Sequence, residues 1–207
     1  MDKTIPIFPL SLVVFPFSKV PLHIFEERYK KMLNKCLDEK TGFGIVSLIW
    51  NEMSKIGSYV VIEKVKRKKE NGEMDIIVKG TSRFRILKKI NHTDGYIVAT
   101  IEEYADDSDE INTILLKELR KNFEDILKKV NFSLEDSFWK NYDDTSLKSF
   151  KIAEKSGLNL KQRQKLLSLR KENERINFLL KHLIKLEKKI SERYTTGAIV
   201  MGDGYIN

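Results

Sequence analysis

The histidines, the cysteine and the serines are the residues of this chain that could catalyse a reaction or bind a metal. His23, His92 and His182 fall in a predicted strand end, a turn and a helix, far apart in the sequence. A metal site needs several ligands that converge, and a nucleophilic site needs an activated Ser or Cys beside a histidine. Cys36 falls on the apolar face of a predicted helix, and no serine stands in a sharp glycine-flanked turn. We therefore expect no catalytic residue, no metal and no cofactor.

Four aromatic residues stand where the sequence pattern does not require burial. Phe17 lies between two prolines, and Trp50 follows a predicted strand and precedes polar residues. Phe138 and Trp139 fall in a predicted irregular link of the helical half. Exposed aromatic side chains are what a receptor for apolar or unfolded segments would present. We interpret these four as candidate partner-binding residues of a groove between the two halves of the chain. The alternative is that they fill the interface between those halves.

A predicted hairpin offers a different chemistry because one of its strands is strongly basic. Asn71-Gly72 between two strand-like runs predicts a two-residue type I′ turn, in which both central residues have positive φ. The net charge of the chain is +8, from 38 Lys and Arg against 30 Asp and Glu, which suits an acidic partner or nucleic acid. The cations that lead into the turn are the candidate phosphate contacts of an RNA-binding surface: Lys64, Lys66, Arg67, Lys68 and Lys69.

Composition indicates a globular protein without a membrane span. The chain has 207 residues, of which 41% are hydrophobic, so it can bury a substantial core. Pro, Lys or Ser interrupts every apolar run before the roughly 20 residues that a membrane-spanning helix needs. The N-terminus lacks the pattern of a secretion signal. We therefore expect a cytoplasmic protein with no membrane partner, whose single cysteine, Cys36, is a buried reduced thiol.

The first half of the chain has the punctuation of short strands. All four prolines lie in its first 21 residues, where they favour extended, bent segments. Helical spacing follows, with one apolar stripe made of Phe25, Tyr29, Met32, Leu33, Cys36 and Leu37. Strands are predicted at 42–50, 58–69, 74–80, from Arg83 onward and at 96–104. Alternation along the fourth of these predicts that Arg83 and Arg85 share one face.

The second half is helical, and the change in composition near 105–110 predicts a domain boundary. We assign residues 1–105 to a β-rich domain, 106–194 to a helical bundle and 195–207 to a tail. Within the bundle, residues 132–144 are predicted as an irregular connection, and the polar run 170–175 as an interruption before the last helix. Strands first and helices afterwards favour a segregated α+β architecture.

The stretch from Ile5 to Tyr29 resembles the N-terminal signature of the Lon substrate-binding domain family. A second block of resemblance covers 79–86 and 96–99, and 162–183 is similar to the helical part of the family. Position 17 departs from the pattern, because glycine is common there and this chain has Phe17. The residues that carry the resemblance most specifically are Pro9, Leu10, Phe15, Pro16, Pro21, Leu22, Ile24, Phe25, Glu26, Arg28, Tyr29, Gly57, Gly80, Arg83 and Phe84.

The resemblance implies a PUA-like pseudo-barrel of about six strands with one helix, followed by a helical bundle. It also implies a role in binding protein substrates. We expect the signature residues to be structural: Glu26 at a helix N-terminus, Tyr29 in the core, and Arg28 paired with a carboxylate of the barrel. No G-x-x-x-x-G-K-[ST] loop occurs, so we expect neither the ATPase nor the Ser-Lys protease domain of full Lon proteases.

Two functions from different classes remain open. The first is a non-catalytic module that binds unfolded or apolar protein segments, by apolar contact or by strand addition at an open sheet edge, or that acts as an adaptor for a separate protease. The alternative is an RNA-binding protein that uses the PUA-like barrel and the basic hairpin. Salt dependence separates them, because phosphate contacts weaken steeply as salt is added.

Overall fold

The computed structural model of this chain describes residues 3–108 and 110–196, with side chains described as far as residue 192. The chain forms two compact units, Met1–Ala105 and Asp106–Asn207. We call them the strand unit and the helical unit. The elements of the strand unit are β1 (Lys3–Leu10), β2 (Lys19–Ile24), α1 (Glu27–Asp38), β3 (Phe43–Ile49), β4 (Glu52–Met53), β5 (Ile56–Lys68), β6 (Met74–Asn91) and β7 (Ile97–Glu103).

The strands of the strand unit close into a ring. Hydrogen-bonded neighbours follow the order β1, β7, β6, β5, β3, and β3 pairs back onto β1 in parallel, with Ile7 opposite Gly44 and Leu10 opposite Ser47. β2 lies outside the ring and pairs with β6, while β4 extends β3 as a short hairpin. This is the predicted pseudo-barrel, and with the helices that follow it confirms the α+β class. The described part has seven strands rather than about six.

β6 is one strand of 18 residues, where the sequence predicted two strands separated at Gly80. Its first half pairs with both β2 and β5, and its second half pairs with β7. Gly80 does not end the strand. A Cβ at this position would overlap the carbonyl oxygen of Phe15, so glycine is needed for the close approach of the β1–β2 connection.

The hairpin turn at Asn71-Gly72 differs from the predicted type I′ turn. Gly72 has a φ of 81°, but Asn71 is not among the residues with positive φ. The N–H of Gly72 donates to the carbonyl of Lys69 at 3.0 Å, and the N–H of Lys69 donates to the carbonyl of Glu73 at 2.9 Å. The loop therefore has three residues, a type I turn followed by a left-handed glycine.

α1 packs against the strands and supplies part of their core. Tyr29, Met32, Leu33 and Cys36 are buried among strand residues, and burial raises the pKa of the Cys36 thiol. The turns of the two long hairpins, β5–β6 and β6–β7, contact lysines of this helix. Lys30 Nζ donates to the carbonyl of Asn71 at 2.8 Å, and Lys31 Nζ lies 3.5 Å from the carboxylate of Asp94.

The helical unit contains more helix than the sequence predicted. Residues 132–144, predicted as an irregular connection, include α3, and the polar run 170–175 includes the first turn of α6 instead of interrupting it. Residues 197–207, which make up most of the predicted tail, lie outside the described part of the chain. The elements are α2 (Thr113–Lys129), α3 (Asp136–Asp144), α4 (Lys148–Ala153), α5 (Leu160–Leu167) and α6 (Glu172–Thr196).

A buried arginine connects four segments of the helical unit. The Arg175 side chain is 0% exposed. Its guanidinium donates to Asp106 Oδ1 at 2.9 Å, to Glu172 Oε2 at 2.7 Å and to the carbonyl of Leu169 at 2.9 Å. It also donates to the hydroxyl of Ser149 in α4, at 3.0 Å. Burial by itself lowers the pKa of Arg175. The hydrogen bonds to Asp106 and Glu172 and their negative charge outweigh this effect, so the pKa is raised.

We predict that Arg175→Ala destabilises the protein by about 3–5 kcal/mol, because it leaves two carboxylates without their buried partner. Arg170→Ala is the matched control. Arg170 pairs with the adjacent Asp107 at 2.7 Å, but both side chains are more than 40% exposed, so its loss should cost less than about 1 kcal/mol. Urea denaturation of both variants measures the difference, and equal costs would contradict a structural role for the buried network.

His182 predicts a pH dependence of stability. Its Nε2 donates to the carbonyl of Ser156 at 2.7 Å, so Nδ1, 3.3 Å from Gln162 Nε2, is the acceptor. Gln162 cannot reverse its amide without losing the bond from the Asn159 N–H to Oε1. Burial first, and then the nearby lysines, lower the pKa of His182 below its ordinary 6.5.

The fold therefore holds His182 neutral, while the unfolded chain binds a proton more readily as the pH falls. We predict that this histidine lowers the melting temperature between about pH 7.5 and about pH 5.5. His182→Gln, which does not titrate, should show a shallower decline in the same range. Identical slopes for the two proteins would contradict the prediction.

Candidate functional site

Two of the four predicted partner-binding aromatics are exposed on unusual backbone. Phe17 is 49% exposed and has a φ of 66°, and Trp50 is 81% exposed and has a φ of 58°. Phe17 lies in the β1–β2 connection, where its N–H donates to the carbonyl of Gly80 at 2.9 Å. Trp50 and Asn51 form the two-residue turn between β3 and β4, and Asn51 also has a positive φ, 63°.

The register of the strands separates these two aromatics. Phe17 is bonded to Gly80, which lies opposite Val60 of β5, and Val60 lies opposite Phe43 of β3. Trp50 follows Phe43 by seven positions on the β3 side, which corresponds to roughly 20 Å along the strand. Phe17 and Trp50 are therefore two separate apolar points on the strand unit.

The other two predicted aromatics belong to a cluster inside the helical unit. They lie in α3, not in an irregular link, and Phe138 is 6% exposed, so it is not the exposed aromatic that the sequence predicted. Trp139 is half-buried and contacts Phe138 edge-on, with ring centroids 5.3 Å apart. Arg120 lies over the Trp139 ring at 5.1 Å and Phe123 packs beside it at 6.2 Å. These contacts indicate that the pair stabilises α3 against α2.

Phe25 is an exposed aromatic that the sequence pattern placed wrongly on the apolar face of α1. It is 61% exposed and precedes Glu26, the N-cap residue. An apolar residue at this position packs in many helices against the fourth helical residue, but here that residue is Lys30. Lys30 is visible in the sequence, so the lack of an apolar partner for Phe25 at that position could have been recognised there. The Phe25 ring stacks instead on His23, with centroids 5.9 Å apart.

β2, β6 and β5 form a three-stranded segment with one outward face. Residues directly opposite each other in neighbouring strands place their side chains on the same face. Pro21 lies opposite Ile77 and His23 opposite Asp75, while Lys64 and Arg67 lie opposite the same two β6 residues from the other side. The alternate residues of β2 and β6, such as Val20 and Val78, face the core. We call the following six residues the β2 outer face: Pro21, His23, Asp75, Ile77, Lys64 and Arg67.

The carboxylates of Asp75, on this face, and Glu63, beside it, each have a basic partner. His23 Nδ1 lies 2.7 Å from Asp75 Oδ1, and this hydrogen bond lowers the pKa of Asp75, with Arg67 contributing by charge. Glu63 pairs with Lys19 at 2.8 Å.

The predicted basic hairpin divides into two parts. Lys64, Lys66 and Arg67 are exposed along β5. Lys68 donates to Asn34 Oδ1 of α1 at 3.0 Å, and Lys69 donates to Glu73 Oε2 at 2.5 Å across the loop. The second pair of cations thus stabilises the hairpin and its contact with α1.

The signature residues divide between core and surface. Arg28 pairs with Glu26 at 2.6 Å, only two residues away, and not with a carboxylate of the barrel as predicted. Arg83 and Arg85 do share a face, because each guanidinium lies 5.1 Å from the ring of Tyr104. The buried members are Phe15, Pro16, Ile24, Tyr29, Gly57, Gly80, Arg83 and Phe84; Pro9, Leu10, Leu22 and Glu26 are half-buried; Pro21, Phe25 and Arg28 are exposed.

Two kinds of site are not found in the described part of the chain. Within residues 3–108 and 110–196 there is no group of three or more His, Cys, Asp or Glu side chains that could hold a metal ion. Among the helices described there, none is both long and apolar enough to cross a membrane. We take the exposed apolar and basic residues of the strand unit as the candidate functional surface, because Phe17, Phe25 and Trp50 lie there.

Comparison with solved structures gives the same fold. The crystal structure of a Lon N-terminal domain protein from Xanthomonas campestris matches with a TM-score of 0.69 and 24% identity, over 86% of this chain and 97% of that one. The N-terminal domain of a Mycobacterium avium complex Lon protease matches with a TM-score of 0.68 and 18% identity, over 87% of this chain and 98% of that one.

Comparison with family models covers most of the chain. The model of the ATP-dependent protease La (LON) substrate-binding domain matches residues 4–185. This model describes a domain that binds substrate and carries no catalytic machinery of its own. The match begins within β1, includes β2 to β7 and ends within α6. The chain therefore belongs to the LON substrate-binding domain family.

Proposed function

We propose that this protein is a non-catalytic, cytoplasmic module that binds unfolded or apolar protein segments through exposed aromatic residues of its strand unit. As an adaptor, the protein would deliver those segments to a separate protease. Family membership supports a substrate-binding role. The aromatics that we assign to binding are Phe17 and Trp50, together with Phe25.

The observation that carries the proposal is the combination of exposure and backbone strain at Phe17 and Trp50. A non-glycine residue in the left-handed region costs about 1–2 kcal/mol relative to ordinary backbone, and a bulky side chain is unusual there. Trp50, at 81% exposure, returns little of this cost through burial. Strained positions that persist in a folded protein are concentrated at binding and active sites. A role in contacting a partner explains why rings stand at positions where glycine would be less strained.

The structure favours side-chain contact over strand addition at β2. This strand has one partner among the described residues, β6, so its other edge has no strand. Pro21, in the middle of β2, has no N–H, and Lys19 is exposed beside it. Proline and lysine are the residues by which natural edge strands avoid pairing with another chain. Peptide capture at this strand would therefore depend on side chains.

RNA binding remains the second candidate because of one observation, the exposed row of Lys64, Lys66 and Arg67 on β5. The family match favours a protein substrate over nucleic acid. A single-stranded RNA oligonucleotide, titrated at low and moderate salt, discriminates the two. Binding through phosphates would lose affinity steeply as salt is added, whereas apolar peptide capture would change little.

The strain at Phe17 and Trp50 predicts an inverted effect of glycine on stability. At ordinary positions glycine is less stable than alanine, but at a positive φ the order reverses. We expect Phe17→Gly and Trp50→Gly to be about 1 kcal/mol more stable than Phe17→Ala and Trp50→Ala. Phe25, which is not among the residues with positive φ, is the control. There the alanine variant should be the more stable, and an identical order at all three positions would contradict the strain.

The same residues predict a loss of binding without a loss of folding. A fluorescein-labelled, permanently unfolded polypeptide should bind the native protein, and Phe17→Gly or Trp50→Gly should weaken binding severalfold while the melting temperature stays within a few degrees. Ile184→Ala is the matched control, because Ile184 is 56% exposed but lies in α6. Unchanged affinity in all aromatic variants would contradict the assignment of these residues.

Fluorescence gives an independent measurement of Trp50. In the Trp139→Phe variant, Trp50 is the remaining tryptophan of the chain. Its 81% exposure predicts emission typical of an indole in water. We expect a blue shift when the unfolded polypeptide binds, because contact removes the ring from water. Emission that stays constant at saturating polypeptide would exclude Trp50 from the binding surface.

A further inference from the structure

The β2 outer face has the dimensions and pattern of a site for one extended chain. Positions 19 to 25 along β2 cover about 20 Å, and the three strands are together about 10 Å wide. Phe25 stands at one end of this surface, stacked on His23. Pro21 and Ile77 form its centre as directly opposed residues of β2 and β6.

The charged residues on the β2 side of this apolar centre differ from those on the β5 side. Each carboxylate has a basic partner from β2: Asp75 is hydrogen-bonded to His23, and Glu63 pairs with Lys19. On the β5 side, Lys64 and Arg67 are exposed and face outward in the same rows as Ile77 and Asp75. The surface therefore presents an apolar line with a positive border.

We infer that the β2 outer face binds an extended protein segment of about seven residues, in which apolar side chains are flanked by acidic ones. The inference rests on the proposed function and adds a substrate class to it. Apolar side chains of the segment contact Pro21, Ile77 and Phe25, and its carboxylates lie over Lys64 and Arg67. Charge complementarity of this kind selects partners and accelerates their encounter.

The face is less suited to a nucleic acid than to an acidic peptide. Single-stranded nucleic acids bind where a continuous positive groove follows the phosphates and aromatic rings stack on successive bases. Here the centre of the face consists of the aliphatic side chains Pro21 and Ile77, and Phe25 at its end is one aromatic ring rather than a row of them. Carboxylates of a peptide can be placed between these groups more freely than the regular charges of a phosphate backbone.

The test compares three labelled peptides with the same apolar centre and with Glu, Gln or Lys at the flanking positions. Binding to the full chain is measured by fluorescence polarisation at low salt. The variant is the charge reversal Lys64→Glu with Arg67→Glu. The matched control reverses Lys88 and Lys89, which are also exposed and also on a strand, but lie in the half of β6 that pairs with β7. Thermal melts of both variants verify that the fold is retained.

We expect the native protein to prefer the Glu-flanked peptide, and the reversal at Lys64 and Arg67 to weaken that peptide by about tenfold. The same reversal should strengthen binding of the Lys-flanked peptide and leave the Gln-flanked one unchanged. The control reversal should leave the order of the three peptides as it is in the native protein. Added salt should reduce the preference without abolishing binding of the apolar centre.

Three outcomes would overturn the inference, and they are distinguishable. Equal binding of all three peptides, with no effect of the reversal, removes the acidic preference but leaves the proposed apolar capture intact. No binding of any peptide contradicts the proposed function as well. Tight, steeply salt-dependent binding of a single-stranded RNA oligonucleotide that displaces the Glu-flanked peptide assigns the surface to nucleic acid instead.

Discussion

The strand unit depends on the close approach of the β1–β2 connection to β6 at Gly80. The N–H of Gly80 donates to the carbonyl of Ser18, and its carbonyl accepts from the N–H of Phe17, both at 2.9 Å. The approach is possible because position 80 has no Cβ. These two bonds fix where β2 begins, and with it the register that places Pro21 beside Ile77. They also hold the backbone of Phe17 in the left-handed region. One glycine thereby determines both the strained aromatic and the outward face of β2.

The helical unit depends on a different kind of constraint, a buried charge. Arg175 has no water to solvate it, so the unit must supply acceptors for its guanidinium from several segments at once. Asp106 comes from the first residue of the unit, Ser149 from α4, and Glu172 from the same helix. Losing one partner from such a network is costly, because the polar group that is left unpaired is buried or half-buried. The network therefore links Asp106, α4 and the start of α6 through one side chain.

The outline of the fold could be predicted from the sequence, because proline, glycine and apolar periodicity are local signals. The α+β order and the helix after β2 follow from such signals, whereas Gly80 was marked by the resemblance to the family. The length of β6 could not be predicted, because a glycine inside a strand is indistinguishable in sequence from one that ends it. The predicted interruption at the polar run 170–175 is also wrong, because residues 172–175 belong to α6. Polar residues usually face water, and the partners that bury Glu172 and Arg175 lie as far away as Asp106.

The candidate site was predictable only in part. Proline on one side and polar residues on the other marked Phe17 and Trp50 as exposed, but sequence alone does not reveal a positive φ at a bulky residue. Phe138 was misplaced because a short helix rich in Asp and aromatic residues resembles a loop. Phe25 matched the helical spacing and was assigned to the core, although Lys30 at the fourth helical position offers it no apolar partner. The β2 outer face required the register between three strands, which is a tertiary property.

The edge chemistry of β2 connects the fold to the kind of recognition that it can support. A receptor that binds by strand addition obtains affinity from main-chain hydrogen bonds, which are the same for every sequence, and needs an uninterrupted row of donors and acceptors. Pro21 interrupts that row at its centre. With the edge blocked, affinity must come from side chains on the face, where burial of apolar groups is non-directional and tolerates varied sequences. The positive border then adds discrimination through charge, without requiring a fixed backbone register in the bound segment. A blocked edge beside an open apolar face is therefore compatible with varied unfolded segments and also protects the strand unit from pairing with copies of itself.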